Sequence, residues 1–302
     1  MGMTTNNPDE TAIDAEVLGE RRHLMSLCFR MLGTFAEAED AVQESYARWY
    51  RMSTEERDAI DVPRAWLTRV ASRICLDVLD SARVRREQYV GPWLPEPLPT
   101  RDFVPSQGAD PLDRVTLDDS VSTALLVVLE AMTPAERVSF VLHDVFALPF
   151  DEIAEVVGRS PAACRQLATS ARRRISETRN QQVTRAQHDE VVLAFAAATT
   201  SGNFDQLIAV LDPDVVLRSD GGGFVHAARN PVSGADRVAR FLLGILTKNT
   251  TMSVSDLQTN DGLAFALWED GRIVGVVNLG VAESRVSDVW MVMNPEKLSL
   301  WN

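Results

Sequence analysis

Lysine is nearly absent from this chain of 302 residues. Lys248 and Lys297 are the only two, so 28 of the 30 basic side chains are arginine. Genomic base composition alone can produce that bias, so it carries no functional reading. Paired cysteines are also missing. Cys28, Cys75 and Cys164 lie far apart, their count is odd, and no CxxC occurs. That excludes a disulfide framework and a cysteine-based metal site, and predicts small buried thiols in a reducing cytosol. No apolar run approaches the ~20 residues a bilayer-spanning helix needs. The first residues, MGMTTNNPDETAIDAE, are polar and acidic. They predict a frayed tail over 1–14 rather than a secretory signal. Neither a metal nor a cofactor is expected.

What is present is unevenly charged. The formal net charge of −13 argues at first against a nucleic-acid partner. Yet residues 159–185 hold seven arginines against one acid, Glu177, whereas residues 186–302 hold eight basic and fourteen acidic groups. Local potential, not the whole-chain average, decides what a surface binds.

The basic stretch ends a distinctive unit, Leu148–Ile175. Phe150–Val157 has an amphipathic period, Gly158 suits the left-handed position that ends a helix, and Ser160-Pro161 supplies an N-cap followed by proline at the first helical position. In the second helix Cys164, Leu167, Ala168, Ala171 and Ile175 share one narrow arc. Ala162, Gln166, Thr169 and Arg173 lie opposite, with Arg165 and Arg172 on the flank. This reads as a helix-turn-helix with base-reading and phosphate-binding residues Ser160, Ala162, Arg165, Gln166, Thr169, Arg172 and Arg173, the alternative being a helical hairpin in a protein-binding domain with a basic tail.

Upstream, helical periods run over 15–32, 36–52 and from Pro63 to about 87. The second has an inner stripe of Ala41, Val42, Ser45, Tyr46 and Trp49. Its opposite side, with Asp40, Gln43, Glu44 and Arg48, reads from the residues alone as a solvated face. Thr34 is placed to cap it, and 53–62 reads as a loop. In the third helix Arg69 and Arg73 share a face beside Trp66, and Arg83, Arg85 and Arg86 line the exit. Residues 88–112 hold six of the fourteen prolines. They form a stiff linker in which Trp93-Leu94, flanked by prolines, predicts a segment that docks. Thr133-Pro134-Ala135-Glu136 is a capping box opening a helix to about 146.

From about 186 the period changes. Helices over 188–201, 203–211 and 235–246 are joined by strands at 215–217, 252–257, 263–268, 273–281 and 285–292. Asn260-Asp261-Gly262 and Glu269-Asp270-Gly271 are the turns. Helices followed by a curved antiparallel sheet make an α+β cone. Asp220 and His226 are its candidate catalytic groups, with Trp268 and Trp290 as candidate pocket walls. Asp220 before three glycines is an ordinary turn residue, however, and no catalytic residue is assigned.

The order of elements over 15–179 resembles the extracytoplasmic-function (ECF) group of bacterial RNA polymerase sigma factors. Its most specific piece is Asp40-Ala41-Val42-Gln43-Glu44 followed by Trp49, similar to the family's D-x-x-Q-E motif. The resemblance implies that Asp40, Gln43, Glu44 and Arg48 bind core RNA polymerase through the β′ clamp, with β also contacted. It further implies that Trp66, Arg69, Arg73, Arg83 and Arg86 hold the −10 promoter element, and that the helix-turn-helix reads the −35 element. Arg165-Gln166-Leu167 departs from the commoner V-R-S-R helix. WLPEPL (93–98), SDGGGF (219–224) and NPEKL (294–298) resemble motifs of the subgroup carrying a C-terminal SnoaL-like, NTF-like domain, although Phe224 stands where that subgroup usually has lysine.

The resemblance implies a multidomain chain. A tail over 1–14 precedes an all-α region 2 domain over 15–87, the linker over 88–112, and an all-α region 4 domain over 113–182. A SnoaL-like regulatory domain follows over 186–302. That domain is expected to act in cis through Trp93, Leu94, Pro95, Asp220, Gly221, Gly222 and Gly223, so a separate anti-sigma protein is not required. The partners are then core polymerase and promoter DNA in the cytoplasm, with no membrane; a small ligand in the C-terminal pocket has no sequence support. Two other classes stay open on the residues: a one-component DNA-binding regulator with a ligand pocket, and an isomerase- or cyclase-type enzyme with a helical regulatory half. The Asp40–Glu44 motif discriminates, because neither needs a polymerase contact.

Overall fold

The computed structural model of the chain describes residues 17–86, 89–99, 122–178, 183–249 and 251–302. The tail over 1–14, the linker beyond Pro99 and the first part of the expected region 4 domain, 113–121, lie outside the described residues. The chain divides into two compact units. Of the described residues, one takes 17–82 and 132–172, and the other takes 83–86, 89–99, 122–131 and those from 173 onward.

In the first unit, helix α1 (Arg21–Leu32) packs on α2 (Phe35–Arg51), and one-turn α3 (Thr54–Asp58) leads into α4 (Pro63–Arg86). The helix expected from residue 15 is interrupted by a turn at Glu20. The expected loop over 53–62 contains α3, because Ser53 and Glu56 form a reciprocal capping box that a composition-based reading passes over. Thr34 does not cap α2 through its side-chain oxygen; its hydroxyl donates to Glu37 instead, 2.9 Å away. Of the expected inner stripe of α2, Ala41, Val42, Ser45 and Trp49 are buried, whereas Tyr46 is half-buried with its hydroxyl donating to Val17 O at 3.1 Å.

Helix α5 (Thr123–Glu130) belongs to the second unit. Helix α6 (Pro134–Phe140) begins at the Thr133–Glu136 capping box and continues as a π-helical turn over Val141–Val145. Helices α7 (Phe150–Val157) and α8 (Pro161–Thr178) follow. Val156, rather than Val157, joins Ile153 in the core.

The second unit adds α9 (Arg185–Thr200), α10 (Phe204–Val210) and α11 (Ala235–Lys248), with strands β1 (Leu211–Asp220), β2 (Val232–Ser233), β3 (Ser253–Thr259), β4 (Gly262–Glu269), β5 (Arg272–Ala282) and β6 (Arg285–Val292). The sheet order is β2-β1-β6-β5-β4-β3. It is mixed, not antiparallel, because β1 pairs with β6 in parallel. The parallel partner is contributed from some seventy residues away, after β2, α11 and the β3–β5 hairpins, and no local turn signal announces it.

Every residue of β4 from Gly262 to Leu267 is buried. A strand buried on both sides has both faces of its sheet covered. On the concave face Phe265, Leu267, Val277, Leu279, Val289 and Met291 meet α9, α10 and α11. On the other face Ala266, Val276, Trp290 and Val292 meet linker residue Leu94 and the C-terminal Leu298 and Trp301, with Ala124 and Val127 of α5 packed against them.

Candidate nucleic-acid interface and its regulatory hub

Helix α8 is oriented by the turn before it. Gly158 takes φ 68° and ψ 34°, and its N–H caps Ala154 O at 2.9 Å. A residue with Cβ is strained there. The Ser160 hydroxyl oxygen accepts from Ala163 N at 3.2 Å. Cys164, Ala168 and Ala171 are fully buried and Ile175 nearly so, which fixes the outward arc. Ala162, Arg165, Gln166, Thr169 and Arg173 are exposed on it. Two of the expected contact residues have bonds of their own. The Thr169 hydroxyl donates to Arg165 O, and Arg172 donates from Nε to Asp144 at 2.7 Å. The Arg165 guanidinium lies 5.0 Å from the centroid of the Phe150 ring, a cation–π contact.

On α2, Asp40, Gln43 and Arg48 are exposed and Glu44 is half-buried. Arg48 Nε donates to Glu44 Oε1 at 2.9 Å, and that bond holds the Glu44 carboxyl below the usual carboxylate range. On α4, Trp66 is half-buried with its ring edge-on to Trp49, centroids 5.4 Å apart. It therefore packs and remains partly accessible. Arg69 Nη1 donates to Glu155 Oε2 at 3.1 Å and Arg73 Nη2 to Glu155 O at 2.7 Å. Two of the four arginines expected to hold a single strand, Arg69 and Arg73, are thus engaged by α7. Arg83 and Arg86 lie on the last turns of α4, and their side chains are outside the described set.

Magnitudes decide what holds this arrangement. The Arg69–Glu155 pair is solvated, with side chains 40% and 62% exposed, and such pairs contribute about 0–1 kcal/mol. Arg137 is 2% exposed and donates from Nη1 to Met31 O at 2.6 Å. Burial pulls its pKa down to about 9, against the raising effect of Glu37. Urea unfolding of Glu155→Ala is expected to match the parent within about 1 kcal/mol, whereas Arg137→Ala is expected to lose at least about 1.5–3 kcal/mol. Equal losses would contradict this assignment.

The second unit gathers three sequence motifs around one carboxylate. Asp220 is fully buried at the end of β1. It accepts from Tyr89 Oη at 2.5 Å, Leu94 N at 2.9 Å, Gly222 N at 3.0 Å and Lys297 Nζ at 2.7 Å. Lys297, one of the two lysines, also donates to Leu94 O at 2.5 Å and sits 3.8 Å over the Trp93 ring. Asn294 Nδ2 donates to Tyr89 Oη at 3.0 Å. Burial, then the Asp220 bond, push the Tyr89 phenol up, so it stays a donor. Gly222 has φ 63°, and a Cβ there would fall 2.5 Å from Asn294 Cγ. The motif is packed as glycine, not merely flexible.

Trp93, Leu94 and Pro95 are therefore brought to the Asp220 loop. Prolines lack an N–H, so the segment is held largely through its carbonyls. Trp301 Nε1 donates to Pro97 O at 3.0 Å and Asn260 N to Leu98 O at 3.3 Å. Sequence reasoning missed Tyr89 as a partner in this hub. It also missed Asp261, which accepts from Thr123 N at 2.8 Å and from the Thr123 hydroxyl, and so ties the β3–β4 turn to the start of α5. Burial raises the Asp261 pKa despite those two bonds.

The catalytic candidates do not assemble. Asp220 is consumed in the hub, and His226 and Phe224 are exposed on the following loop. Neither Asp220 nor His226 lines the cavity of the cone. Trp290 packs on the opposite face of the sheet, and the Trp268 indole donates to Ser255 Oγ on β3 at 2.8 Å, so neither is a cavity wall. Strand alternation decides this: Trp290 neighbours the cavity residue Met291 and so points the other way. No group of three or more His, Cys, Asp or Glu among the described residues could hold a metal ion.

Residues 17–86 match the family Sigma-70 region 2, and residues 122–175 match Sigma-70, region 4. ECF RNA polymerase sigma factor SigJ of Mycobacterium tuberculosis is 44% identical over 232 residues, 76% of this chain and 71% of the relative. Probable ECF RNA polymerase sigma factor SigI of the same species is 38% identical over 291 residues, 95% of this chain and 94% of the relative. The crystal structure of M. tuberculosis SigJ superposes with a TM-score of 0.75 at 36% identity, covering 95% of this chain and 99% of that one.

Proposed function

The chain belongs to the extracytoplasmic-function RNA polymerase sigma factors, which start transcription, and we propose how its residues divide that work. The α2 face of Asp40, Gln43, Glu44 and Arg48 binds the β′ clamp of core polymerase, with β as a further contact. The track of Trp66, Arg69 and Arg73, continued by Arg83 and Arg86, holds the opened −10 element by stacking and charge. Helix α8 reads the −35 element with Arg165 and Gln166, while Ser160, Ala162, Thr169, Arg172 and Arg173 position it on the backbone. The observation that carries this reading is the pairing, in one chain, of an exposed Asp40–Gln43 face on α2 with an exposed Arg165–Gln166 face on α8.

The C-terminal domain regulates in cis. Its support is the Asp220–Lys297 hub, which seats the linker, and the Asp261 contact to α5; both occupy chain that lies between or within the two promoter-binding parts. No separate anti-sigma protein is then required. In this reading the domain's part is regulatory, and Asp220 serves the hub that seats the linker. The protein works where polymerase and promoter are, in the cytoplasm; among the described residues no helix is long and apolar enough to cross a membrane.

In vitro transcription with core polymerase on a randomised promoter library tests this. Full-length protein is expected to select templates with two spaced elements. Arg165→Ala is expected to lose about 1–3 kcal/mol of discrimination at one −35 base pair, with −10 selection unchanged. No transcription above core alone, or a change confined to the −10 element, would refute the assignment.

A further inference from the structure

The connection between α6 and α7 departs from regular backbone twice. It begins as the π-helical turn Val141–Val145, where the Phe146 N–H donates to Val141 O at 3.2 Å. It then passes through Ala147 at φ 55°, left-handed backbone that a residue with Cβ adopts only under strain. Strain of this kind persists where surrounding contacts over-determine it, and π-helical turns recur at functional sites. Here the detour brings two rings face to face. His143, from the π-helical turn, stacks on Phe150, the first residue of α7, with centroids 4.1 Å apart and planes 24° from parallel. Both residues are half-buried.

Two arginines of α8 close on that ring pair. Arg165 and Arg172 are seven residues apart, so they leave the helix on one side, about 10 Å from each other along its axis. The Arg165 guanidinium meets the Phe150 ring at 5.0 Å from its centroid. Arg172 Nη2 donates to His143 Nδ1 at 3.2 Å, while its Nε donates to Asp144 Oδ1 at 2.7 Å. The two arginines are held by different chemistry. A ring covers the face of a guanidinium and leaves its N–H donors for a base edge, whereas a carboxylate takes up those donors.

We propose that Phe150, stacked with His143, is a positioning residue for −35 recognition: it holds the Arg165 guanidinium in the orientation that reads a base pair. The inference rests on the assignment of Arg165 as a base reader. Arg165 lies in the second turn of α8, and recognition helices meet base edges through their N-terminal residues. An unrestrained arginine samples many rotamers and bonds phosphate as well as guanine, and a phosphate contact carries no sequence information. Bidentate reading of guanine needs one plane and one direction. Restraint by the ring therefore raises discrimination at one base pair more than it raises affinity. Arg172 ties His143 to the same helix, so the ring pair keeps its place against α8.

Holoenzyme assembled from core polymerase and the full-length protein, selecting on templates randomised over the −35 element, tests this. Phe150→Leu keeps an apolar residue at the site but removes the ring. It is expected to lower the preference at the base pair read by Arg165 about two- to five-fold, the worth of an exposed cation–π contact. The other −35 positions and the −10 element are expected to be selected as before. Phe150→Tyr is expected to keep the parent's preference. His143→Ala removes the stacking partner without changing α7 and is expected to act in the same direction as Phe150→Leu, so the test does not depend on one variant folding. Thermal melts identify the variants that keep the fold. Adding Phe150→Leu to Arg165→Ala is expected to cost nothing further at that base pair. The positioning role is overturned, with the base-reader assignment intact, if neither ring variant lowers the preference that Arg165→Ala loses. It is overturned equally if Phe150→Leu weakens every −35 position alike or adds to the loss in Arg165→Ala. An Arg165→Ala protein with every −35 preference unchanged would remove the base-reader assignment and this inference with it.

Discussion

Asp40→Ala combined with Gln43→Ala is expected to abolish stable association with core RNA polymerase while leaving the chain folded. Both side chains are exposed, and the buried stripe of α2 is untouched by the change. Alanine is the best helix former, and substitutions at such solvated positions usually move stability by no more than about 0.5 kcal/mol. Polymerase binding is a different matter if the pair sits at the centre of a protein interface. Two hot-spot truncations of about 2 kcal/mol each would weaken binding roughly a thousand-fold. Co-elution with core polymerase, or anisotropy with labelled protein, measures the effect, and circular dichroism melts confirm the fold. A folded double variant that binds like the parent would remove the clamp assignment. Glu44→Ala alone is expected to do less, because its carboxylate is already engaged by Arg48.

The largest stability effect is expected at Asp220. Asp220→Ala leaves the Lys297 ammonium buried, between the Trp93 ring and Leu94 O, without its carboxylate. Breaking a buried pair by removing one partner costs about 3–5 kcal/mol. Three further donors, from Tyr89, Leu94 and Gly222, lose their acceptor at the same time. Lys297→Met is expected to cost less, since Asp220 keeps those three donors and the apolar side chain suits the aromatic slot. The double variant should therefore be more stable than the sum of the single losses, and a double-mutant cycle reads that coupling. Urea unfolding followed by tryptophan fluorescence is the measurement, with Trp93, Trp290 and Trp301 all near the hub. A loss below about 1 kcal/mol for Asp220→Ala would place the pair among ordinary surface ion pairs and take away its role in seating the linker. Under the in-cis reading, the same variant should shift transcriptional output from full-length protein, because the segment joining the two promoter-binding parts is no longer held.

These two sites differ in how far they can be read from the chain. Asp40 and Gln43 lie on one face of one helix, so their exposure follows from the period that buries Ala41, Val42, Ser45 and Trp49. The residues alone nevertheless leave them as a solvated face; the resemblance supplies the partner. Asp220 looks like a turn residue before glycines, because its partners come from positions 89, 94 and 297. Nothing in local propensity measures a contact across that separation. The resemblance of NPEKL (294–298) to a subgroup motif is the signal that marked the segment carrying Lys297.

Taken alone, then, the sequence determined what depends on residues a few positions apart. The Thr133–Glu136 capping box, the Gly158 helix end, the Ser160-Pro161 start, the buried arc of α8 and the turns of the C-terminal hairpins all follow from steric and hydrogen-bonding rules within a turn or two. Tertiary structure decided the rest. It set the parallel β1–β6 pairing, the engagement of Arg69 and Arg73 by Glu155, the consumption of Asp220 in a buried hub, and which face of the sheet became cavity and which received Trp290. Each of these depends on which distant surfaces bury one another. Strand alternation leaves both faces of a fully apolar strand equally eligible until the packing chooses between them.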